Sequence, residues 1–435
     1  MPTDFALPLL GFALSAAVVA VGIGFNRYGG PSPSWVLGIV AFLQPLNGVR
    51  PFGPSASLGD LALALLALGC LPFLGRLHMP PRVLVPFAGA LVMCAGGLLG
   101  MLVTDGWWET PWLLRFLLGI PLVMITLAIV RPSHQLATWL AGCYAVGATV
   151  SAIAAITGPV VPGFARASGL GEHLMHLAVS TIFAVVLAIG WFVSTSSTWQ
   201  RVLASAIIVI CLWGQLLTGA RSALLGTLLA VGYLAVLGRA RGVAIAGGMA
   251  LLAAAVLAAA MPALPQGSTL HRIFGGELTG LVTLSNGAHV QDALEAISEI
   301  GAHPLTGLGF AQGLDAHNLF LEAANMGGVL GLAGFFLIWG TIGALLVRQL
   351  RYGVRRKDWL RASLLVGVAG YFVLAQLENM VWDRHLWFFI TLALYALPRT
   401  LADPDDRQDP QASGSTSTSA ASPEPSPAWT TATSQ

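Results

Sequence analysis

Long apolar runs separated by short polar connections dominate this chain. Runs close to the roughly 20 residues that cross a bilayer as a helix recur along most of it. They lie at residues 4–24, 58–75, 82–103, 111–130, 136–157, 174–195, 201–218, 222–238, 242–261, 318–347, 360–378 and 385–400. A further candidate, Ser34–Leu46, is short and flanked by prolines. The pattern predicts an all-α, polytopic membrane protein with about 12 transmembrane helices, or 13 if Ser34–Leu46 also crosses.

Two polar stretches interrupt the apolar pattern. Residues 262–317 form one long loop, and within it the segment His289–Ile300 (HVQDALEAISEI) places its apolar residues on one helical face. This spacing predicts an amphipathic helix that lies along the membrane surface and roofs a cavity or packs on the bundle. Residues 401–435 are rich in Ser, Thr, Pro, Ala and Asp. Such a composition cannot bury a core, so residues 1–400 are expected to form the membrane domain and residues 401–435 a disordered tail.

Composition and charge agree with a membrane location. Hydrophobic residues make up 56% of the chain, charged residues 9%, and the mean hydropathy is +0.78. An ordinary soluble domain carries roughly 25% charged residues. The net charge of +2 is small for a chain of this length, so the charge balance does not indicate nucleic acid as a partner.

The basic residues predict the orientation, because Lys and Arg are enriched in cytoplasmic loops. Alternate connections are basic and are assigned to the cytoplasm: Arg76 with Arg82, Arg131, Arg201, Arg239 with Arg241, and Arg348–Arg361. The tail then lies inside and the 262–317 loop outside. Counting 13 spans puts the N-terminus outside and counting 12 puts it inside.

Cysteine usage gives no sign of a disulfide or a zinc site. Cys70, Cys94, Cys143 and Cys211 all lie within apolar runs, where cysteine serves as a small packing residue. Most histidines, in contrast, lie on or next to the predicted outer face. This grouping suggests chemistry on that face, although histidine also favours membrane interfaces.

Arginines at the outer face are the first functional candidates, because charged side chains are costly near a bilayer. Arg221 lies between two apolar runs in LLTGARSALLG, and Arg166 lies in the glycine-rich segment ARASGLGEHLMHLA. A guanidinium can hold phosphate oxygens in a bidentate fork. The alternatives are an arginine that fixes a helix end against lipid headgroups and an ordinary glycine-rich surface loop.

His317 ends the long loop, directly before a predicted span. The positive end of the helix dipole disfavours a protonated imidazole there, and a neutral imidazole is what a general base requires. A helix-capping or interfacial histidine is the alternative. Asn318 and Glu322 follow on the same helix, and Asp383 lies in the last outer connection, ENMVWDRHLWF. These three residues are candidates for supporting roles, with an aromatic interfacial belt as the alternative for the last connection.

Several segments together resemble one family. LLTGARSALLG, the long outer loop, AHPLTGLGF and HNLFLEAANMGGVLGL are similar to the signature region of the O-antigen ligase and polymerase superfamily, with ARASGLGEHLMHLA resembling an upstream motif. The specific match covers roughly Arg166 to Gly340. The resemblance implies a bacterial inner-membrane enzyme whose active site faces the periplasm. It implies a glycosyl transfer without metal or cofactor, from undecaprenyl-diphosphate-linked glycan to a sugar hydroxyl of lipid A-core or of another glycan.

The resemblance also implies roles for individual residues. His317 matches the family's essential loop histidine, and Arg221 and Arg166 match arginines that hold the donor diphosphate. The chain departs from the family in SNGAHVQDALEAI, where Ala288 and His289 stand in place of a Gly-Arg pair. Arg272 or His289 is expected to substitute for that arginine, or the third anion contact is missing.

Four functions remain open at this stage. An O-antigen ligase is favoured because the His317 motif follows a moderately long, partly helical loop. An O-antigen or exopolysaccharide polymerase has the same motifs, and a protein O-glycosylating ligase is a third option. A lipid or solute transporter belongs to another class; transporters often show internal repeats and midplane sites, whereas the candidates here gather at one face.

Overall fold

The computed structural model describes residues 34–51, 57–158, 166–238, 264–265, 267–274, 279–310, 316–354, 358–378 and 384–397. In these ranges the regular structure is helical. The α-helices are α1 (Ser34–Leu43), α2 (Leu58–Cys70), α3 (Pro81–Val103), α4 (Thr110–Gly119), α5 (Pro121–Val130), α6 (His134–Thr157), α7 (Leu174–Ser194), α8 (Thr198–Leu217), α9 (Arg221–Leu237), α10 (Thr269–Phe274), α11 (Thr279–Ala302), α12 (Leu319–Tyr352), α13 (Trp359–Ala375) and α14 (Arg384–Tyr395). Short 3-10 helices follow α1 (Gln44–Leu46) and α2 (Leu71–Arg76) and precede α4 (Trp107–Glu109).

Seven helical stretches of the described chain are long and apolar enough to cross a membrane, and three shorter helices are also apolar. The protein is therefore a helical membrane protein, as the hydropathy pattern predicts. Each predicted run in the described ranges is helical, including Ser34–Leu46. The runs at 4–24 and 242–261, and the tail at 401–435, lie outside the described residues.

One predicted span is broken into two helices. The run at 111–130 is divided between α4 and α5 at Ile120, directly before Pro121. Proline has no amide N–H and its ring clashes with the preceding turn, but it is well accommodated at the first position of a helix. The break therefore follows from the sequence, and the two parts together still form a 21-residue apolar stretch.

The amphipathic helix of the long loop is present and longer than predicted. The segment His289–Ile300 lies within the 24-residue helix α11. Its apolar face is only partly covered by the described residues, since Val290 and Leu294 are 60% and 62% exposed. Both side chains line the cavity described below, so the helix forms one wall of it.

Helix α12 is broken inside its apolar stretch and packs along α3. Gly328 has a φ of +56° and a ψ of −139°, a conformation that only glycine adopts without strain. A Cβ atom at this position would lie 2.5 Å from the backbone of Leu305. The loop 303–310 enters the break and satisfies its backbone: Leu308 N–H donates to Asn325 O (2.7 Å) and Val329 N–H donates to Pro304 O (3.0 Å). In a membrane, a helix break is tolerated where protein groups pair the freed backbone in this way.

Hydrogen bonds between helix ends show which connections share an end of the bundle. Arg82 Nε donates to Leu394 O (2.9 Å), and Leu360 N–H donates to Ser194 Oγ (3.1 Å). The ends of α7 and α14 and the starts of α3 and α13 thus belong to the end that carries the basic connections. The candidate functional residues lie at the opposite end.

Candidate functional site

A cavity of about 1150 Å³ lies at the end of the bundle opposite the basic connections. Its walls come from the 166–175 segment, the start of α9, α10, α11, the start of α12 and the end of α13. The polar and charged residues that line it are Arg166, Ser168, Glu172, His173, Arg221, Ser222, Arg272, His289, His317, Asn318, Gln376 and Glu378. Apolar side chains complete the lining, among them Leu174, Leu225, Leu294, Leu321 and Leu377.

Three arginines, Arg166, Arg221 and Arg272, meet around the turn between α8 and α9. Gly219 in that turn has a φ of +73°, and a Cβ atom there would lie 2.8 Å from Arg166 Nε. Arg272 Nη1 donates to Gly219 O (2.8 Å), and Arg221 is the first residue of α9. Glycine is required here because the turn needs a positive φ and because Arg166 lies directly on it. The turn thus gathers the guanidiniums of Arg166, Arg221 and Arg272 in one wall of the cavity, called the arginine wall below.

Glu378 is a carboxylate whose charge acts on Arg166 and Arg272. It follows α13 and lines the cavity. Burial raises the pKa of Glu378 to about 7, although Arg166 and Arg272 act in the opposite direction. Burial, together with Arg166 and Arg221, lowers the pKa of Arg272 to about 10. Arg272 therefore stays charged near neutral pH, whereas the pKa of Glu378 lies close to neutral pH.

His317 is held by a strained backbone immediately before α12. Its φ is +47°, in the left-handed region that non-glycine residues rarely adopt. Asn318 caps the helix, since its Oδ1 accepts from Phe320 N–H (3.0 Å) and Leu321 N–H (3.1 Å). Asn318 Nδ2 donates to Gln376 O (3.0 Å), which ties the start of α12 to the segment that carries Glu378. Such strain persists where the surroundings fix it, often at a functional site.

A second histidine and an aspartate surround the imidazole of His317. His289 and Asp292 lie three residues apart on α11 and therefore share a helix face. Asp292 Oδ2 is 3.5 Å from His317 Nε2, and the centroids of the two imidazole rings are 4.3 Å apart. Burial, with the nearby His317, lowers the pKa of His289. His289 is therefore neutral near pH 7, and Asp292 is placed to stabilise a proton on His317.

These three groups are also the one set in the described part of the chain with the donor types and spacing of a metal site. A ring nitrogen from each histidine and a carboxylate oxygen of Asp292 all lie within 4.8 Å of one another. Imidazole and carboxylate suit zinc and related transition metals. The nearby Arg221 and Arg272 oppose a cation here.

A polar network behind the cavity fixes the loop that carries Arg166. Asn47 is its centre: its Nδ2 contacts His176 Nδ1 (2.8 Å), and its Oδ1 accepts from Glu172 N–H (3.1 Å). The Glu172 carboxylate forms an ion pair with Arg50, and Gly48 N–H donates to Leu170 O (2.8 Å). The connection between α1 and α2 therefore anchors the 166–173 segment.

The structure brings most of the predicted site residues together. Arg166, Arg221, Arg272, His289, His317 and Asn318 all line the one cavity. Glu322 is buried in the first turns of α12 and is not among the described lining residues, and Asp383 lies outside the described residues.

Sequence reasoning missed two acidic residues of the site. Asp292 lies in the amphipathic segment His289–Ile300, and its position three residues after His289 is the signal that places both on one helix face. Glu378 ends a long apolar run, where a carboxylate is costly, and that cost was the signal for it.

In comparisons with known proteins, no family model and no curated protein matches this chain.

Proposed function

We propose that the protein is a membrane glycosyltransferase, an O-antigen ligase that moves a glycan from undecaprenyl diphosphate to a sugar hydroxyl of lipid A-core. In this proposal the protein lies in the bacterial inner membrane and the cavity opens to the periplasm. The sequence resemblance suggested the class. The support from the structure is that one cavity carries both a cluster of arginines and a pair of histidines beside an aspartate.

The arginine wall suits the donor diphosphate. Arg166, Arg221 and Arg272 line the same cavity, and two of them contact the one turn at Gly219. Guanidiniums bind phosphate oxygens in a bidentate manner, and they stabilise the charge that grows on the leaving diphosphate. The apolar part of the lining, including Leu225 and Leu294, gives a polyprenyl chain a surface to contact.

The part of the cavity that carries His289, Asp292 and His317 suits the acceptor. The acceptor hydroxyl oxygen attacks the anomeric carbon of the donor, the bond from that carbon to the diphosphate oxygen breaks, and the hydroxyl proton passes to His317. Asp292, beside His317 Nε2, stabilises the imidazolium as it forms.

The decisive experiment supplies purified protein with undecaprenyl-diphosphate glycan, with and without lipid A-core. Glycosylated lipid A-core is the expected product. Longer lipid-linked glycans formed without lipid A-core identify a polymerase that uses the same site. No product under either condition refutes the glycosyltransferase and returns attention to a transporter, which a flux assay in proteoliposomes then tests.

Paired variants test the residue roles. Arg221→Gln is expected to lower kcat/KM at least about a hundredfold, the usual effect of removing one group that stabilises developing charge. His317→Ala is expected to lower kcat by about 10²–10⁴-fold. Arg201→Gln and His78→Gln are matched controls, because both residues lie at the opposite end of the bundle. Full transfer by both site variants would remove these roles.

A further inference from the structure

We propose that His289, Asp292 and His317 form an inhibitory binding site for a divalent transition metal ion such as Zn²⁺. Binding of the ion needs only these three side chains. The inhibitory effect rests on the proposed function, because the ion would occupy the imidazole that is assigned as the base.

The geometry is close to that of a three-ligand zinc site. Two ligands on a tetrahedral Zn²⁺ with bonds of about 2.0–2.1 Å are separated by about 3.4 Å. Asp292 Oδ2 and His317 Nε2 are 3.5 Å apart, and the full set of ligand atoms lies within 4.8 Å. The His289 ligand atom therefore has to move by at most about 1.4 Å to reach the spacing of a tetrahedral site. The fourth position remains open for water or a phosphate oxygen.

The chemical state of the ligands favours binding. A metal needs imidazoles that are neutral, and burial keeps the pKa of His289 below its ordinary value. The Nδ1 atoms of both histidines are buried and have no hydrogen-bond partner within the described ranges. Unsatisfied buried nitrogen atoms are costly, so coordination through Nδ1 of His289 would give this atom the partner that it otherwise lacks. Mg²⁺ and Ca²⁺ prefer oxygen ligands and fit this set poorly.

The backbone holds the ligands in place. His289 and Asp292 project from one face of α11, and His317 is fixed by its positive φ and by the Asn318 cap of α12. The ligands thus come from two helices joined through the loop 303–310. Rigid elements of this kind preorganise a metal site.

The arginine wall weakens the site without removing it. Arg221 and Arg272 repel a dication at His289, as they repel a proton there. We therefore expect weaker binding than at the same three ligands without neighbouring cations. The repulsion also gives the site a signature: Arg272→Gln should tighten Zn²⁺ binding severalfold, because one positive charge is removed and no ligand changes.

The binding test uses the full-length protein in detergent, stripped with EDTA and titrated with Zn²⁺ against a fluorescent chelator. The expected result is one ion per chain for the unmodified protein and at least tenfold weaker binding for His289→Gln and for Asp292→Asn. His303→Gln is the matched control, since this histidine directly follows α11 but lies outside the cluster. Equal Zn²⁺ affinity in unmodified protein and His289→Gln overturns the proposal.

A second measurement needs no variant. Zn²⁺ should protect His289 and His317 of the unmodified protein from a histidine-specific acylating reagent, as read by peptide mass spectrometry, and Mg²⁺ should not. Modification at the same rate with and without Zn²⁺ contradicts the site.

An inhibition arm separates the two proposals. Zn²⁺ should block glycan transfer. The half-inhibitory Zn²⁺ concentration should be at least tenfold higher for His289→Gln than for the unmodified protein, with the inhibition of each protein measured relative to its own rate without Zn²⁺. Zn²⁺ binding without any transfer activity refutes the glycosyltransferase and leaves the metal site standing. Transfer that is insensitive to saturating Zn²⁺ refutes the inhibitory site and leaves the glycosyltransferase standing.

Discussion

Glu378 leads to a prediction about how donor binding depends on pH. Its carboxylate shares the cavity with Arg166, Arg221 and Arg272, and burial raises its pKa to about 7. A doubly esterified diphosphate stays ionised near neutral pH, so under the proposed function the donor and an ionised Glu378 compete for the same guanidiniums. Donor binding should therefore be strongest when Glu378 is protonated.

The magnitude follows from this pKa. With a value of about 7, roughly a tenth of Glu378 is ionised at pH 6 and roughly nine tenths at pH 8. If only the protonated form admits the diphosphate, donor affinity falls about tenfold over this interval, which is about 1.4 kcal/mol. The sign is fixed by linkage: an arriving anion raises the pKa of Glu378 further, so binding takes up a proton and weakens as pH rises.

The assay compares KM for a short-chain lipid-diphosphate sugar at pH 6, 7 and 8. The unmodified protein should show the tenfold rise in KM, and Glu378→Gln should show a flat profile near the pH 6 value. Glu295→Gln, an exposed change on α11, is the control and should follow the unmodified protein. A flat profile in the unmodified protein, or an equally steep one in Glu378→Gln, refutes the reasoning.

Thermal stability gives an independent check on Glu378. A carboxylate whose folded pKa lies above its unfolded value stabilises the fold below pH 4.5, and this contribution is lost as pH rises through about 7. Glu378→Gln should therefore raise Tm relative to the unmodified protein at pH 8 more than at pH 5. An equal difference in Tm between Glu378→Gln and the unmodified protein at pH 5 and pH 8 would show that the pKa of Glu378 is not raised in the folded protein.

Three further predictions concern the fold and the chemistry. Gly328→Ala should lower the free energy of unfolding by at least about 2 kcal/mol and lower Tm, because a Cβ atom there would lie 2.5 Å from backbone atoms. Gly343→Ala on the same helix is the control and should leave Tm unchanged, because a Cβ atom there has no neighbour within 4 Å. Asp60→Asn should lower Tm by removing a bidentate pair with Arg384 (2.6 and 2.7 Å), worth about 2 kcal/mol; an unchanged Tm contradicts a structural role for the pair. Under the proposed function, EDTA should not lower the transfer rate, because the proposal assigns the positive charge at the donor to guanidiniums; a loss restored by added metal would overturn that assignment.

The sequence predicted the helices well and the cavity in part. Hydropathy found the described spans because each must present apolar side chains to lipid or to other helices. Arg166, Arg221 and His317 were found because a charged or titratable group next to an apolar run is expensive and therefore conspicuous. Their meeting in one cavity followed from placing all of them on the same face.

What the sequence could not supply were partnerships across long separations. Asn47 contacts His176 and His385, which are 129 and 338 residues away. Arg384 pairs with Asp60 across 324 residues. No local period or motif marks such pairs, because each depends on how the helices pack. The break at Gly328 was equally hidden from sequence reasoning. A Gly-Gly pair inside an apolar run does not indicate whether the helix breaks there or whether a loop enters the break.

The loop that fills the break in α12 has a mechanical consequence. It begins where α11 ends, and it bonds to backbone on both sides of the break, at Asn325 and at Val329. The helix that carries His289 and Asp292 is thereby clamped to the helix segment that follows His317. Movement of α11 relative to this part of α12 would break these backbone hydrogen bonds, and unpaired backbone groups are costly in a membrane protein. The spacing between the two histidines and Asp292 is therefore set by backbone hydrogen bonds that lie outside the cluster itself.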